Sequence, residues 1–398
     1  MLYRHNITLR TKGKEFMVEH VLISGKLDEE CINMLRNNQR LDVTYTPDCN
    51  RKQLLEQIGK TNILITRSET TIDSELLSAA PNLKIIGRAA VGTSNIDIET
   101  ATKKGILVFN TPGKNTNSAA ELTFALLLSM LRRTPQAHNE VKKGSWERHN
   151  FIGRELRNLR IGLVGLGNVG HRVAKFAHGF DMKVFAYDPY ISHHKFDQYQ
   201  VTRCQSLLEL SSQIDIISLH VPLNKETEGM INQEILLNLP IGSFVLNTSR
   251  GGVVSEIALL QALKKGHISG AAIDTWENEP NTNKELRDHP KTWCSPHIGA
   301  STLEAQKLVG RSIVTQIDKA LDGVVVDYPV NLPSNKNGSQ LASKPYNLLA
   351  EKIGSLASQT IDFNPKKISI AFYGKLATTD TTIIKIGMMK GYTTNRID

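Results

Sequence analysis

The histidine of "SPHIGAS", His297, stands where a strand-like run ends, and two more ionisable residues close or follow neighbouring runs: Arg250 in "SFVLNTSRGG", and Glu279 just beyond Asp274 in "GAAIDTWENEP". Histidine, with an unperturbed pKa of about 6.5, can take up and return a proton near neutral pH. A carboxylate beside it fixes the ring and stabilises its protonated form. An arginine binds a carboxylate through paired N–H bonds and polarises an adjacent carbonyl. Reversible oxidation of an alcohol by a nicotinamide cofactor would use such groups: a base for the hydroxyl proton, a carboxylate to support it, and a cation to bind an anionic group and polarise the carbonyl beside it. Taken singly, each residue type is usually packed or salt-bridged. Here three successive strand-like runs aim them at one carboxyl edge, where open parallel α/β folds bind ligands.

A cofactor signature precedes them. "RIGLVGLGNVGHRVAKF" sets Gly165, Gly167 and Gly170 in G-x-G-x-x-G order, directly after a strand-like run and at the mouth of a helix. In that context the first glycine makes a tight turn, the second admits a pyrophosphate and the third packs helix on strand, with the helix N-terminus facing the phosphates. The next run closes on Asp188 in "VFAYDPY", near the spacing of roughly 20 residues at which a carboxylate meets the adenosine ribose. A carboxylate there repels a 2′-phosphate, and no Arg or Lys follows at once to neutralise one, so NAD is favoured over NADP.

These groups require a scaffold, and the pattern predicts an α/β one. From Met17, "MVEHVLISG" reads as a strand, "DEECINMLRNN" as a helix, "NILITRSET" as a strand and Asp73 to Ala80 as a helix, followed by the strands "LKIIGRA" and "GILVFN". After a turn at Thr111-Pro112-Gly113, "NSAAELTFALLLSMLRR" predicts a long helix capped by Ser or Asn. From Arg160, "RIGLVG", "KVFAYD", "IDIISLHV", "SFVLNTS", "GAAID" and "TWCSPH" are apolar on both faces, as parallel strands covered on each side should be. The expected architecture is a doubly wound parallel Rossmann sheet plus a flavodoxin-like α/β substrate domain, with a short C-terminal appendage. The expected boundaries are an N-terminal extension over 1–16, a discontinuous substrate domain at 17–116 and 300–332, an NAD-binding domain at 117–299, and a partial appendage at 340–398 behind a polar linker.

Composition narrows the class. Of 398 residues, 40% are hydrophobic and 22% charged, the balance of an ordinary soluble chain of two or three domains. The net charge of +9 suits an anionic ligand, but Lys and Arg are scattered and only 6% of residues are aromatic, which argues against nucleic acid. The longest apolar run, near Phe124 to Leu128, is broken by Ser129 and Arg132-Arg133 and falls short of the roughly 18 residues a membrane span needs. Cys31, Cys49, Cys204 and Cys294 share no metal-ligand spacing, which points to a reducing, cytoplasmic setting without a metal. Residues 1–14 carry Arg4, Arg10, Lys12 and Lys14 but no apolar signal core, and read as an unstructured extension in preference to an organellar presequence.

Over roughly residues 20 to 330 the chain resembles the D-isomer-specific 2-hydroxyacid dehydrogenase family, above all its phosphoglycerate-oxidising members. The shared segments are "GILVFNTPGKNTNSAAELTFALLL", "GSWERHNFIGREL", "GLVGLGNVG", "YDPY", "NTSRGGVV", "GAAID", "NEP" and "SPHIGASTLEAQ". The resemblance implies NAD as hydride acceptor, a homodimer or homotetramer, and a small anionic 2-hydroxy or 2-keto acid substrate. That substrate would be 3-phosphoglycerate, giving 3-phosphohydroxypyruvate at the start of serine biosynthesis.

Residue by residue, the resemblance implies that Arg250, Glu279 and His297 are catalytic, with His297 moving the proton. It implies cofactor contacts at Asn168 and Val169 in the phosphate loop, at Asp188, Val221, Thr248 and Ser249, at Asp274 toward the nicotinamide carboxamide, and at Gly299 and Ala300 beside the ring. Substrate phosphate would fall to Arg67 and Arg88, with Arg148 contributed by a neighbouring subunit. The chain departs from the family in "GRAAVGTSNID", where Ala90 to Asn95 lack a usual glycine and aspartate, in Thr275-Trp276 and in Ser255. Those changes leave open another D-2-hydroxyacid dehydrogenase, such as a glyoxylate or hydroxypyruvate reductase, and an NADH-sensing corepressor-like binding protein. A formate dehydrogenase fits less well, because that family has glutamine where Glu279 stands. "PYNLLAEKIGSLASQT" resembles the start of the extra domain of long family members, and serine feedback through a sensing module is not expected.

Overall fold

The computed structural model describes residues 18–332, 340–361, 365, 367–374, 376 and 381–393. The N-terminal extension expected over 1–16 and the linker expected at 333–339 lie outside the described residues. The chain divides into two compact units, one formed by the segment up to Thr111 together with Arg311 onward, the other by Pro112–Gly310.

In the first unit five strands, β1 (Glu19–Ile23), β2 (Leu41–Tyr45), β3 (Ile63–Thr66), β4 (Ile85–Arg88) and β5 (Leu107–Phe109), form a parallel sheet in the order β2-β1-β3-β4-β5. This is the flavodoxin-like order. Helices α1 (Glu29–Arg36), α2 (Arg51–Ile58), α3 (Ser74–Ser78) and α4 (Ile98–Lys103) each begin after an Asp or Asn whose side chain accepts a backbone N–H of the first turn. Leu22, Leu64, Ile86 and Val108 of the strands bury against Leu54, Ile58, Leu76 and Leu77 of the helices. The late segment "VVVDYPVN" returns here: Val330 N donates to Val108 O at 2.8 Å and Asn331 Oδ1 accepts from Val108 N at 2.8 Å.

In the second unit seven strands, β6 (Arg160–Val164), β7 (Lys183–Tyr187), β8 (Thr202–Arg203), β9 (Ile216–Leu219), β10 (Ser243–Asn247), β11 (Ile268–Ile273) and β12 (Thr292–Cys294), run parallel in the order β12-β11-β10-β9-β6-β7-β8. The chain steps outward one way from β6 and then the other way from β9, so the topological switch of a Rossmann sheet lies between those two strands. Helices α5 (Thr116–Arg132), α6 (Thr134–Lys142), α7 (Asn168–Gly179), α8 (His193–Gln198), α9 (Leu207–Ser212), α10 (Gln233–Asn238), α11 (Glu256–Lys264) and α12 (Lys284–Arg287) follow in turn. Adjacent residues of one strand enter opposite cores. Leu163, Ile216 and Leu246 pack on the α5 and α7 side, and Val164, Ile217 and Val245 on the α10 and α11 side. That is why these runs read as apolar on both faces.

Helix α13 (Leu303–Leu321) carries the chain across the boundary between the units, and α14 (Gln340–Thr360) and α15 (Thr382–Thr393) follow. These last two meet backbone to backbone, since a Cβ at Gly391 would lie 1.9 Å from Glu351 O and one at Gly354 would lie 2.0 Å from Met388 O. Some details differ from expectation. Strand β12 stops at Cys294, so Ser295 to His297 belong to a loop, and Asn115 occupies the cap position of α5 without a side-chain cap bond. Among the described residues no helix is long and apolar enough to cross a membrane, and no group of three or more His, Cys, Asp or Glu side chains could hold a metal.

Candidate active site

The turn after β6 is shaped for a dinucleotide. Gly165 has φ +91°, and a Cβ on it would lie 2.7 Å from His220 O. At Gly170 a Cβ would lie 2.1 Å from Gly165 O, whereas at Gly167 it would meet nothing within 4 Å. The loop is therefore closed on its protein side and open at the glycine that caps α7, where Asn168 and Val169 begin the helix with N–H groups that have no intrahelical acceptor. Asp188, one residue past β7, is drawn to the same place. Its Oδ2 accepts from Leu166 N at 2.8 Å and its Oδ1 from Tyr190 N at 2.9 Å. A carboxylate so held keeps further lone pairs for ribose hydroxyls.

Beneath the loop lies a group that pattern reading missed. His220, at the end of β9 and next to Val221, is half-buried with its Nδ1 shut off from solvent; its Nε2 pairs with Ser218 Oγ at 2.9 Å and, among the described residues, its Nδ1 has no partner. Burial pushes its pKa down to about 3. At the end of β10, buried Thr248 shares a 2.7 Å hydroxyl bond with Thr123 of α5. Buried Ser249 donates through Oγ to Asn247 Oδ1 at 2.9 Å.

That asparagine also turns the chain so that Arg250 emerges, since Asn247 Nδ2 donates to Arg250 O at 2.9 Å. Arg250 Nη1 donates to Ser249 O at 2.6 Å. Burial pulls the guanidinium below the ordinary arginine range, and the charge of Glu279 acts against that pull. Asp274, one residue past β11, is wholly buried and holds the histidine loop. Its Oδ1 accepts from Ser295 Oγ at 2.6 Å and Ile298 N at 2.9 Å, its Oδ2 from Gly299 N at 3.0 Å, and its own carbonyl from His297 N at 2.9 Å. Ala300 is the next residue of this loop.

Held this way, His297 adopts a left-handed φ of +53° and places Nδ1 at 2.8 Å from Glu279 Oε2. The other oxygen, Glu279 Oε1, accepts from Trp276 N at 2.9 Å, and the Trp276 indole N–H reaches Ser295 O at 3.4 Å. A carboxylate can only accept, so Nδ1 carries a proton toward Glu279 and Nε2 is left to exchange one with a ligand. A half-buried cation, a supported imidazole and an open dinucleotide cradle thus share the carboxyl edge of one sheet.

The basic residues assigned to substrate phosphate belong to other segments of the chain. Arg148 is exposed in a short 3-10 turn, Arg148–Phe151. In the first unit Arg67 lies across Gly25, where a Cβ would come within 2.9 Å of its Cγ, and donates to Lys26 O at 3.1 Å. Arg88, at the end of β4, is buried and commits all three of its nitrogens locally: Nε to Gly92 O at 3.0 Å, Nη2 to Asn95 Oδ1 at 2.7 Å and Nη1 to the Arg67 carbonyl. Burial brings its pKa down to about 10. The unusual Ala90 to Asn95 loop is therefore wound around Arg88.

Known proteins place the chain. Residues 124–299 match the D-isomer specific 2-hydroxyacid dehydrogenase NAD binding domain, and residues 342–398 match the D-3-phosphoglycerate dehydrogenase intervening domain. A D-3-phosphoglycerate dehydrogenase of Archaeoglobus fulgidus is 41% identical over 93% of this chain and 70% of its own length, and one of Bacillus subtilis is 36% identical over 95% and 71%. A crystal structure of a protein from Thermus thermophilus superposes with a TM-score of 0.72 at 32% identity, covering 78% of this chain and 99% of that one. A glyoxylate reductase from Paecilomyes thermophila does so with 0.69 at 25% identity, covering 79% and 98%. Identity of this order across nearly the whole chain shows that it belongs to the D-isomer-specific 2-hydroxyacid dehydrogenase family and is an NAD-dependent oxidoreductase.

Proposed function

We propose that this chain oxidises 3-phospho-D-glycerate to 3-phosphohydroxypyruvate, the step that opens serine biosynthesis, in the cytoplasm. The observation that carries the chemistry is the 2.8 Å bond between His297 Nδ1 and Glu279 Oε2, which among the described residues leaves Nε2 for a ligand. The naming of relatives at up to 41% identity supports the substrate. In the forward direction His297 takes the substrate hydroxyl proton at Nε2, and Glu279 balances the imidazolium that forms. Arg250 holds the substrate carboxylate through the N–H groups not given to Ser249, in a half-buried setting that strengthens a charge-assisted pair. The glycine loop, the first N–H groups of α7 and Asp188 would hold NAD, with Val221, Thr248, Ser249, Gly299 and Ala300 as further contacts, and the bound nicotinamide would supply the hydride acceptor. Asp274 has one acceptor site left after its three side-chain bonds and so acts first as the anchor of the histidine loop. Arg67, with Arg148, is the proposed partner of the substrate phosphate, and Arg88 shapes the loop beside it.

The working form is proposed to be a homodimer or homotetramer. Helix α6 buries none of its residues, and Trp146 and Ile152 just after it are 74% and 80% exposed. Apolar surface of that kind marks a contact site.

Steady-state turnover tests the substrate. NADH formation with 3-phosphoglycerate, and NADH consumption with 3-phosphohydroxypyruvate, hydroxypyruvate and glyoxylate, should give a kcat/KM about tenfold or more in favour of the phosphorylated acid, because one hydrogen bond to a charged group is worth about 1.5–3 kcal/mol. Preference for the unphosphorylated acids would assign the chain to a glyoxylate or hydroxypyruvate reductase. NADH binding without turnover would make it a sensor.

A further inference from the structure

We propose that Glu256 and Glu277 are positioning residues, a reciprocal pair that locks the loop carrying Arg250 to the loop carrying Glu279. The inference rests on the reading of Arg250, Glu279 and His297 as the catalytic groups.

Glu256 is the first residue of α11, shortly after Arg250, and Glu277 stands two residues before Glu279. Each carboxylate accepts the other residue's backbone N–H: Glu256 N donates to Glu277 Oε1 at 2.9 Å, and Glu277 N donates to Glu256 Oε1 at 2.8 Å. The two loops also touch at Gly251, where a Cβ would lie 1.7 Å from Trp276 O and 2.7 Å from Glu277 N. Ser255 already caps α11 by accepting from Ala258 N at 3.3 Å, so the Glu256 N–H is an orphan of the first turn that Glu277 satisfies from outside the helix.

Packing alone does not account for this choice of residues. Glu256 is only 6% exposed, and burial pushes its carboxyl above the usual range against the Glu277 N–H bond, which pulls it down, with the Glu277 charge adding to the rise. Glu277 is exposed, but Glu256 is nearly dry, and burying a carboxylate is costly where an apolar side chain would fill the volume without that cost. What the glutamates provide is direction, because each supplies an oxygen at the end of a side chain long enough to meet a backbone N–H on the opposite loop. The beneficiary is the turn from Trp276 to Glu279. Trp276 N holds Glu279 Oε1 and Glu279 Oε2 holds His297 Nδ1, so the peptide fixed by Glu256 lies immediately beside the one that aims the catalytic carboxylate.

The test compares full-length Glu277→Ala, Glu277→Asp and Glu277→Gln with Glu279→Gln and His297→Asn as references, reading kcat, KM, NADH affinity and melting temperature. Glu277→Ala removes the acceptor and should lower kcat about tenfold or more, as misplacement of a catalytic group by about 1 Å can cost about 100-fold, while KM and the NADH Kd hold. Glu277→Gln keeps a carbonyl acceptor and should restore kcat to near the starting level. Glu277→Asp, one methylene short, should fall between them and serves if the alanine variant does not fold. A lowered melting temperature with unchanged kcat in the Ala and Asp variants would show a purely structural brace and overturn the proposal. So would a Gln variant as slow as the Ala variant. Unimpaired turnover in the two reference variants would instead overturn the catalytic reading itself, and their collapse beside a normal Glu277→Ala enzyme would overturn this inference alone.

Discussion

His297 is held by its backbone as much as by its side chain. The left-handed φ of +53° is one that asparagine visits more readily than alanine, so His297→Asn removes the imidazole with less strain than His297→Ala. The asparagine variant should lose about 100- to 10,000-fold in kcat, the usual worth of a general acid or base, while its NADH Kd stays within about twofold. Fluorescence titration and turnover on one preparation check both, and loss of NADH binding in step with kcat would remove the histidine from its proposed role. The sequence showed that Arg250, Glu279 and His297 end or follow neighbouring runs, because an ionisable residue after an apolar strand is a local pattern. It did not show that Asp274 spends three bonds on residues 295–299, or that Arg88 is wrapped by its own loop, since burial and hydrogen-bond partners depend on segments distant in the chain.

Strands and helices carry the cradle, and the cradle has a weak point. His220 at the end of β9 is held neutral, with its pKa moved from 6.5 to about 3 by burial. An unfolded chain protonates this ring below its ordinary pKa while the folded chain does not, so the unfolded state binds more protons in that window. Stability should therefore fall as pH drops from 6.5 toward 3, by up to about 1.4 kcal/mol per pH unit from this group. Urea unfolding at pH 7 and pH 5 should show the loss in the parent and less of it in His220→Gln; equal losses in both would assign the pH dependence to other groups. The central strands were legible because parallel strands buried on both faces are apolar throughout. Strands β2 and β8 were not: β2 has a single buried residue, Leu41, and otherwise alternates half-buried with exposed positions, and β8 is two residues long.

At the scale of the whole molecule, the exposed face after α6 is the contact proposed for a homo-oligomer. Trp146→Glu combined with Ile152→Glu should shift sedimentation toward the monomer without lowering the melting temperature of the second unit, because neither side chain is buried within the chain. An unchanged oligomer would move the interface to another face. The sequence puts the boundaries at 116/117 and 299/300 and sets 340–398 apart, whereas the two units of the structure meet at Thr111/Pro112 and Gly310/Arg311, with the later helices in the first unit. The last step of building the first unit was visible only as a short apolar run, "GVVVDYPVN", whose contact with β5 the structure supplies. That contact has a consequence in time. During synthesis the first unit is begun earliest, yet Val330 and Asn331 reach Val108 only after all of Pro112–Gly310 has been made. Because domains fold as units while the ribosome advances, the unit started second is completed first, and the nascent chain must carry an unfinished sheet edge until its closing segment emerges.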